Sequence, residues 1–400
     1  MLYYQAGLLL CLSAFLAWRY SKTSVDPDWA YFNLYAFTGS LYGRDFADCK
    51  TPGVHIWYWL LSKVVGVNVE RIKFANHCLV GLAGLALLPN FPAALAYTVL
   101  VNSGWLLSFH GNVGQVPAAL IAVSFAVSPV WAWVLWLVAV CYEPKLLPSF
   151  IAVAWLKDWW LLVWLLPVVS VSFLIFQKKQ WFKWLWESSV IIPARMTKAR
   201  NAETWFPWFT SNPVLYVLPW LMLGVYYRPE LAYWLPALLY VIFIALGRAI
   251  RSNHLIPLVP WLVFAHIPLV FVVGLVAMDL ISSGFYLGDL WLRYYPALAS
   301  INDEARSTGE WLQDKAGSLY VNSIQSAIYI YARKPLSLGM TEQIEIREVA
   351  TERRERMRRR WRESPPDWVV CGDVPGIIFK PIGYNKVASA GINVIYRKGV

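Results

Sequence analysis

What most constrains this chain is a succession of apolar runs through its first 282 residues. They fall near 3–19, 53–67, 74–89, 91–109, 113–128, 130–142, 146–156, 159–176, 208–227, 231–248 and 254–282. A helix needs about 20 apolar residues to cross the ~30 Å hydrocarbon core of a bilayer, and these runs reach or approach that length. The chain is therefore expected to form a membrane all-α bundle of about eleven transmembrane helices. Composition agrees: 58% of residues are hydrophobic and 15% charged, against about 25% charged in soluble domains. The 24 Trp and 22 Tyr suit a protein with many helix ends at two membrane interfaces, where amphipathic rings prefer to sit. The first run lacks a basic leader and a small-residue cleavage site, so it reads as a retained helix and not a removed signal peptide.

Basic residues orient the bundle. Arg71 and Lys73, Lys145, the cluster from Lys178 to Arg200, and Arg248 with Arg251 all fall on one side if the helices alternate. The positive-inside rule makes that side cytoplasmic. The polar loop 20–52 and everything after about residue 284 then share the extracytoplasmic face of a multi-pass plasma-membrane protein. Arg19 and Lys22 stand at the outer end of the first helix, either snorkelling to headgroups or attracting an anionic ligand. Residues 181–193, rich in Trp, read as an amphipathic anchor on the inner surface. The net charge of +11 does not point to nucleic acid, because it resides in short inter-helix segments and one C-terminal helix.

The tail changes character. Gly317–Asn322, Ser326–Tyr331, Trp368–Cys371 and Asn393–Arg397 are short strand-like runs bounded by turn residues. Ile346 to Arg362 reads as a highly charged helix whose arginines form a solvated face able to touch anionic headgroups of membrane lipids. Residues 1–284 are thus expected to form the membrane module and 285–400 a small soluble α/β domain. Of the five cysteines, Cys11, Cys78 and Cys141 lie in apolar runs and read as buried hydrophobes. Cys49 and Cys371 share the outer face, where a disulfide could form.

The loop 20–52 carries the chemistry. It holds Asp26, Asp28, Asp45, Asp48, Arg44 and Lys50 between two apolar runs, with Pro27 and Pro52 stiffening its ends. Charged groups beside a bilayer are costly unless solvated or used. A carboxylate there can deprotonate an acceptor hydroxyl, and a lysine or arginine can hold a phosphate leaving group. That pairing suits transfer of a sugar from a lipid phosphate, since a cation near the leaving anion stabilises charge that grows in the transition state. Asp28 is a candidate base; as an alternative, it or Asp26 caps a following helix. Asp48 can fix Lys50 or contact the acceptor, and Arg44 is a further phosphate partner. His55 is either an interior histidine or a proton shuttle. His110 and Asn112 read as a helix-connecting turn.

Asp28-Trp-Ala-Tyr31, then Gly39, then Asp45-Phe-Ala-Asp48-Cys-Lys50-Thr-Pro52-Gly53 resembles the first extracytoplasmic loop of the GT-C superfamily. The resemblance is to the group holding protein O-mannosyltransferases and lipid A aminoarabinose transferases. Members typically show Asp-Glu-Ala-x-Tyr after the first helix and Lys-Pro-Pro or Lys-Thr-Pro-Gly opening the second. The whole-chain plan is also similar: many helices, catalytic loop first, small soluble domain last.

The resemblance implies an inverting glycosyltransferase with a polyprenyl-phosphate-linked sugar donor and Asp28 as general base. A hexosyl group, mannose among them, would pass to a lipid, glycan or protein acceptor. Substrate or donor contacts are expected from Asp26, Tyr31, Arg44, Asp48, Lys50 and His55. Trp29 stands where the group has Glu. In the alternative arrangement Asp26-Pro-Asp28 binds a divalent metal, Mg or Mn. Arg251-Ser-Asn-His254-Leu-Ile-Pro257-Leu-Val-Pro260 resembles a second segment of the group, with His254 where Tyr is usual, and Arg251 there would hold the lipid phosphate. Two other readings compete. A transporter or lipid-linked sugar flippase would show related halves or ionisable residues deep in the membrane, and an assembly subunit would tolerate substitution across 26–50.

Overall fold

The computed structural model describes residues 2–21, 52–102, 114–157, 231–246, 256–264, 303–322, 327–338, 351–372 and 382–399, with isolated positions between them. The chain divides into two compact units. The first comprises Met1–Thr23, Asn68–Ile175 and Thr197–Asp289, the second Ser24–Val67, Phe176–Met196 and Leu290–Val400.

The described part of the first unit is all helical. It contains α1 (Leu2–Ser21), with α2 (Pro52–Val65) following in the chain but belonging to the second unit. Then come α3 (Val69–Leu82), α4 (Phe91–Val101), α5 (Gln115–Ser124), α6 (Pro129–Tyr142), α7 (Leu147–Lys157), α8 (Leu231–Leu246) and the short α9 (Val259–Phe264). The helix starts follow local chemistry. Asn68 caps α3 by accepting from the Arg71 N–H, Asn90 caps α4 from the Ala93 N–H, and proline occupies the first turn of α4 and α6, where its missing N–H costs nothing.

Close approach of small residues sets the packing. A Cβ on Gly81 would lie 2.8 Å from Asn102 Nδ2 and 2.9 Å from Ser13 Oγ, and one on Gly84 would lie 2.4 Å from Thr98 Oγ1. Glycine at these places lets α1 and α4 close onto α3 and the turn after it, which is how helices associate where no hydrophobic effect separates them from their surroundings. A second core forms where α5, α6, α7, α8 and α9 meet. Trp136 stacks 5.4 Å from Trp261, and Phe150 meets Trp133 edge-on at 5.2 Å. The Ser149 hydroxyl donates to the Pro236 carbonyl across the α7–α8 contact at 2.7 Å.

Apolar residues also face outward, at helical spacing. Ile56, Leu60 and Val64 on α2, Val130, Val134 and Val138 on α6, and Leu147, Ile151 and Trp155 on α7 are all exposed. Each set repeats every four residues, so each is a continuous stripe along one helix face. Among the described residues no helix is both long and apolar enough to cross a membrane by itself. α4, α5 and α7 have 11, 10 and 11 residues, about 15 to 17 Å of helix against a hydrocarbon core of about 30 Å.

The described part of the second unit beyond α2 is a layered α/β fold. A helix over residues 303–313 precedes β1 (Leu319–Asn322), α10 (Ala327–Ala332), α11 (Thr351–Glu363), β2 (Trp368–Cys371), β3 (Tyr384–Ala390) and β4 (Asn393–Lys398). The strands lie in the order β1-β2-β4-β3, with β1 and β2 parallel and the other pairs antiparallel. Met357 and Trp361 of α11 pack with Tyr320, Val369, Tyr384 and Tyr396 on one face of the sheet. The other face meets the helix 303–313, through Trp311 edge-on to Trp368 at 5.7 Å and Asn393 Nδ2 donating to Thr308 Oγ1 at 3.3 Å.

Several expectations need correction. Ser326–Tyr331 reads as a strand, but from Ala327 on the segment folds as α10, where five of six side chains are buried and the Tyr329 hydroxyl accepts from the Val321 N–H at 2.8 Å. Burial on every side favours a compact helical turn over an extended run. β3 escapes a pattern search because it is an edge strand with polar Asn385, Lys386 and Ser389 and mixed exposure. Cys11 and Cys141 are exposed and Cys78 is half-buried; Cys371 is buried, and Cys49 lies outside the described residues.

Candidate functional site

The polar loop is strung between two described helix ends. α1 closes at Ser21, whose hydroxyl donates to the Trp18 carbonyl at 2.8 Å, and α2 opens at Pro52. Proline suits that first helical position because its φ is already helical and the N–H it lacks would have had no partner. The helix then buries Val54, His55, Tyr58, Leu61 and Ser62 along one face. His55 is thus fixed one turn into α2 with its ring fully buried. The interior position is one of the two expected for it. Asp26, Asp28, Tyr31, Arg44, Asp48 and Lys50 lie outside the described residues, as do Arg251 and His254. The proline-rich end of that second segment is described: residues 256–258 form a single 3-10 turn leading into α9, and 256–261 are all buried. Among the described residues no group of three or more metal-ligating side chains occurs, and Asp26 and Asp28 are not among them.

Sequence reasoning missed a second polar centre, inside the first unit. α3 turns Ile72, Lys73, Asn76, His77, Val80 and Gly81 inward. Asn76 Nδ2 donates to Gln115 Oε1 at 3.1 Å, and Gln115 Nε2 donates to the Val101 carbonyl at 3.0 Å. Asn102 Nδ2 donates to the Thr98 carbonyl at 3.2 Å, which turns its Oδ1 toward His77 Nδ1, 2.9 Å away. The network therefore assigns the His77 proton to Nδ1, donating to Asn102. The 3.3 Å approach of Gln115 Nε2 to the same nitrogen is then a contact between two donors and not a hydrogen bond. Lys73, one helical turn from His77, is 1% exposed. From sequence it reads as an interfacial orienting charge, but the structure buries it. The available signal was the polar set 73, 76 and 77 at i, i+3 and i+4 within an apolar helix.

In the second unit, polar contacts tie the sheet together. Asp367 Oδ2 accepts from the Ser318 N–H at 2.7 Å and from the Ser318 hydroxyl at 2.9 Å. Those hydrogen bonds, with a smaller contribution from Lys398, hold its carboxyl below the usual range. The Tyr384 hydroxyl donates to the Pro366 carbonyl, and partial burial followed by the nearby Asp367 charge pushes its pKa up to about 12.

No family model matches this sequence, and no curated protein sequence matches it. Among solved structures, the crystal structure of ArnT from Cupriavidus metallidurans bound to undecaprenyl phosphate shares the fold. It aligns over 97% of each chain with a TM-score of 0.53 and 16% sequence identity. Agreement from end to end at that identity is agreement of fold, and it is the GT-C fold that the first loop implies.

Proposed function

With that fold as premise, we propose that this chain is an integral-membrane glycosyltransferase that moves a sugar from a polyprenyl-phosphate donor to an acceptor hydroxyl. The observation that carries the reading is the end-to-end likeness to a protein whose structure holds undecaprenyl phosphate, in a chain whose first loop has the Asp28…Lys50-Thr-Pro52 pattern. Membrane embedding by about eleven helices is supported by the outward apolar stripes of α2, α6 and α7. Such faces on a water-soluble protein would be an aggregation hazard.

Asp28 takes the proton from the acceptor hydroxyl as its oxygen attacks the anomeric carbon from the face opposite the phosphate. The glycosyl–phosphate bond breaks with inversion, and polyprenyl phosphate leaves as an anion. Lys50, with Arg44, offsets the charge on that leaving oxygen, while Asp48 holds Lys50 in place. Asp26, Tyr31, His55 and His254 line the donor's approach. Loop and C-terminal domain face the extracytoplasmic side. In the metal-assisted variant Asp26 and Asp28 hold Mg or Mn, and chelator treatment followed by metal add-back tests it.

The experiment is transfer in proteoliposomes from a panel of polyprenyl-phosphate sugars, with product configuration read by NMR. Formation of an inverted glycoside supports the proposal; a retained configuration, or no product from any donor, sinks it. Transport is the second reading, favoured by the burial of Lys73 and His77 within the first unit. Flux of lipid-linked sugar across sealed liposomes without product would establish transport instead.

A further inference from the structure

The α11 face of the C-terminal domain is strongly basic in a way that neither folding nor the transfer chemistry requires. α11 is anchored to the sheet by Met357 and Trp361, four residues apart. Trp361 meets Tyr320 edge-on at 5.5 Å and lies 5.8 Å from Tyr384. The rest of its described surface carries Arg358, Arg359, Arg360 and Arg362, all exposed. Among the described residues no ion pair neutralises these arginines, although Glu355 and Glu363 lie on the same helix. Like charges one turn apart on a helix repel, and four exposed arginines against Glu355 and Glu363 leave the described part of the helix surface with a net positive charge.

The sheet enlarges the cluster. Tyr384 pairs with Lys398 and Lys386 pairs with Tyr396, and Tyr384 and Tyr396 pack toward α11. By strand alternation Lys386 and Lys398, both exposed, stand on the α11 side of the sheet. The opposite face is covered by the helix 303–313, which carries Asp303, Glu304 and Glu310 with Arg306 tied to Glu310 at 3.0 Å. The domain is therefore polarised across the sheet. At the corner where α11 ends and β3 begins, Ile382 projects into solvent, 84% exposed. That corner is fixed by the Tyr384 hydroxyl donating to the Pro366 carbonyl and the Gly399 N–H donating to the Gly383 carbonyl at 2.9 Å.

We propose that this face docks on the anionic phospholipid headgroups of the bilayer that holds the rest of the chain. Guanidinium groups match phosphate oxygens in a planar fork and are weakly hydrated, so they desolvate at a headgroup layer more readily than ammonium groups. A projecting aliphatic side chain on a domain with a basic face is a pattern of interfacial binding, the apolar group entering the headgroup–acyl boundary and the charges staying at phosphate level. The covalent link to membrane helices removes most of the entropic cost of association, so a modest basic face suffices. The inference rests on the reading of the first unit as membrane-embedded and not on the transfer chemistry.

The test is hydrogen exchange of the full-length chain in nanodiscs of phosphatidylcholine alone and with added phosphatidylglycerol. Stable incorporation into the phosphatidylcholine discs checks membrane embedding separately. Docking predicts slower exchange across 355–363 and 382–386 in the anionic discs, with β1 and β2 unchanged. High salt should abolish the difference, because headgroup attraction is screened within a Debye length. Each of Arg358→Gln, Arg359→Gln and Arg362→Gln should weaken docking by about fivefold. Equal exchange in the two lipids, or a difference that survives both high salt and the triple variant, overturns the proposal. Protection that appears only on adding an anionic glycan would assign the face to that ligand instead. Should the triple variant misfold, the salt dependence of the wild-type chain still decides.

Discussion

Gly317→Ala provides a stringent check on the C-terminal fold. Gly317 has φ +109, and a Cβ there would sit 2.7 Å from both Cβ and Oδ2 of Asp367. Two costs follow. A non-glycine residue held at such a backbone conformation costs about 1–3 kcal/mol. The new methyl also pushes the Asp367 carboxylate away from the Ser318 N–H and hydroxyl, and because this carboxylate is largely solvated we assign the lost contacts only about 1 kcal/mol. The total is about 3 kcal/mol, or roughly 150-fold in an opening equilibrium. Ser318 also accepts from the Trp368 N–H at 2.9 Å where β1 meets β2, so the loss should be read there. The assay is hydrogen exchange of β1 and β2 amides in the full-length protein, with the Asp367→Ala background completing a double-mutant cycle. In that background Gly317→Ala should retain the backbone strain and the Cβ–Cβ contact and lose only the displacement of the carboxylate from Ser318. Acceleration of less than about fivefold in the wild-type background, near 1 kcal/mol, would refute the reasoning.

Other perturbations follow from the same structure. The depressed Asp367 carboxyl contributes stability that is present above the unfolded carboxylate range and lost as pH falls below about 4. The raised Tyr384 phenol contributes stability present below about pH 10 and lost as pH rises toward about 12, and exchange of β2–β4 amides across pH measures both limits. Gln115→Leu removes the acceptor of Asn76 and a donor to the Val101 carbonyl, and should lower stability in detergent by about 2–4 kcal/mol by thermal unfolding; an unchanged midpoint would mean the network is not formed. Trp261→Ala empties the centre of the α5–α9 core and should cost about 3–5 kcal/mol in the same assay. Lys50→Met should slow sugar transfer by about 10²–10³ if its ammonium stabilises the leaving phosphate; wild-type turnover would remove it from that role.

How much was legible in the sequence depended on whether a signal was local. β1, β2 and β4 are short apolar runs bounded by turns, and their pattern was sufficient. α11 was visible as a charged helix, though not that Met357 and Trp361 pack it against the sheet. The apolar runs beginning near 53, 91 and 130 anticipate the starts of α2, α4 and α6 at Pro52, Phe91 and Pro129. Ser326–Tyr331 misled because its aromatic and β-branched residues favour strands, while burial of most of its side chains beside β1 and the Tyr329 bond to β1 select a helix. Lys73 misled in the opposite way. Its charge suggested an interface, and only the packing of α3 against α1 and α4 places it inside. The Asn76–Gln115 and His77–Asn102 pairs join residues 39 and 25 positions apart, a separation no local pattern encodes. For the candidate site, the sequence supplied the loop pattern and the structure supplied the end-to-end fold, with α2 placing His55 in its interior.

In the proposed reaction Asp28 activates an acceptor for attack on a polyprenyl-phosphate sugar. Its most direct test is the rate of polyprenyl phosphate release from a labelled donor by wild-type and Asp28→Asn protein, with donor affinity measured in parallel. Loss of the general base should lower turnover by about 10²–10⁴, with donor binding kept within a few-fold. Turnover by Asp28→Asn at the wild-type rate would contradict it.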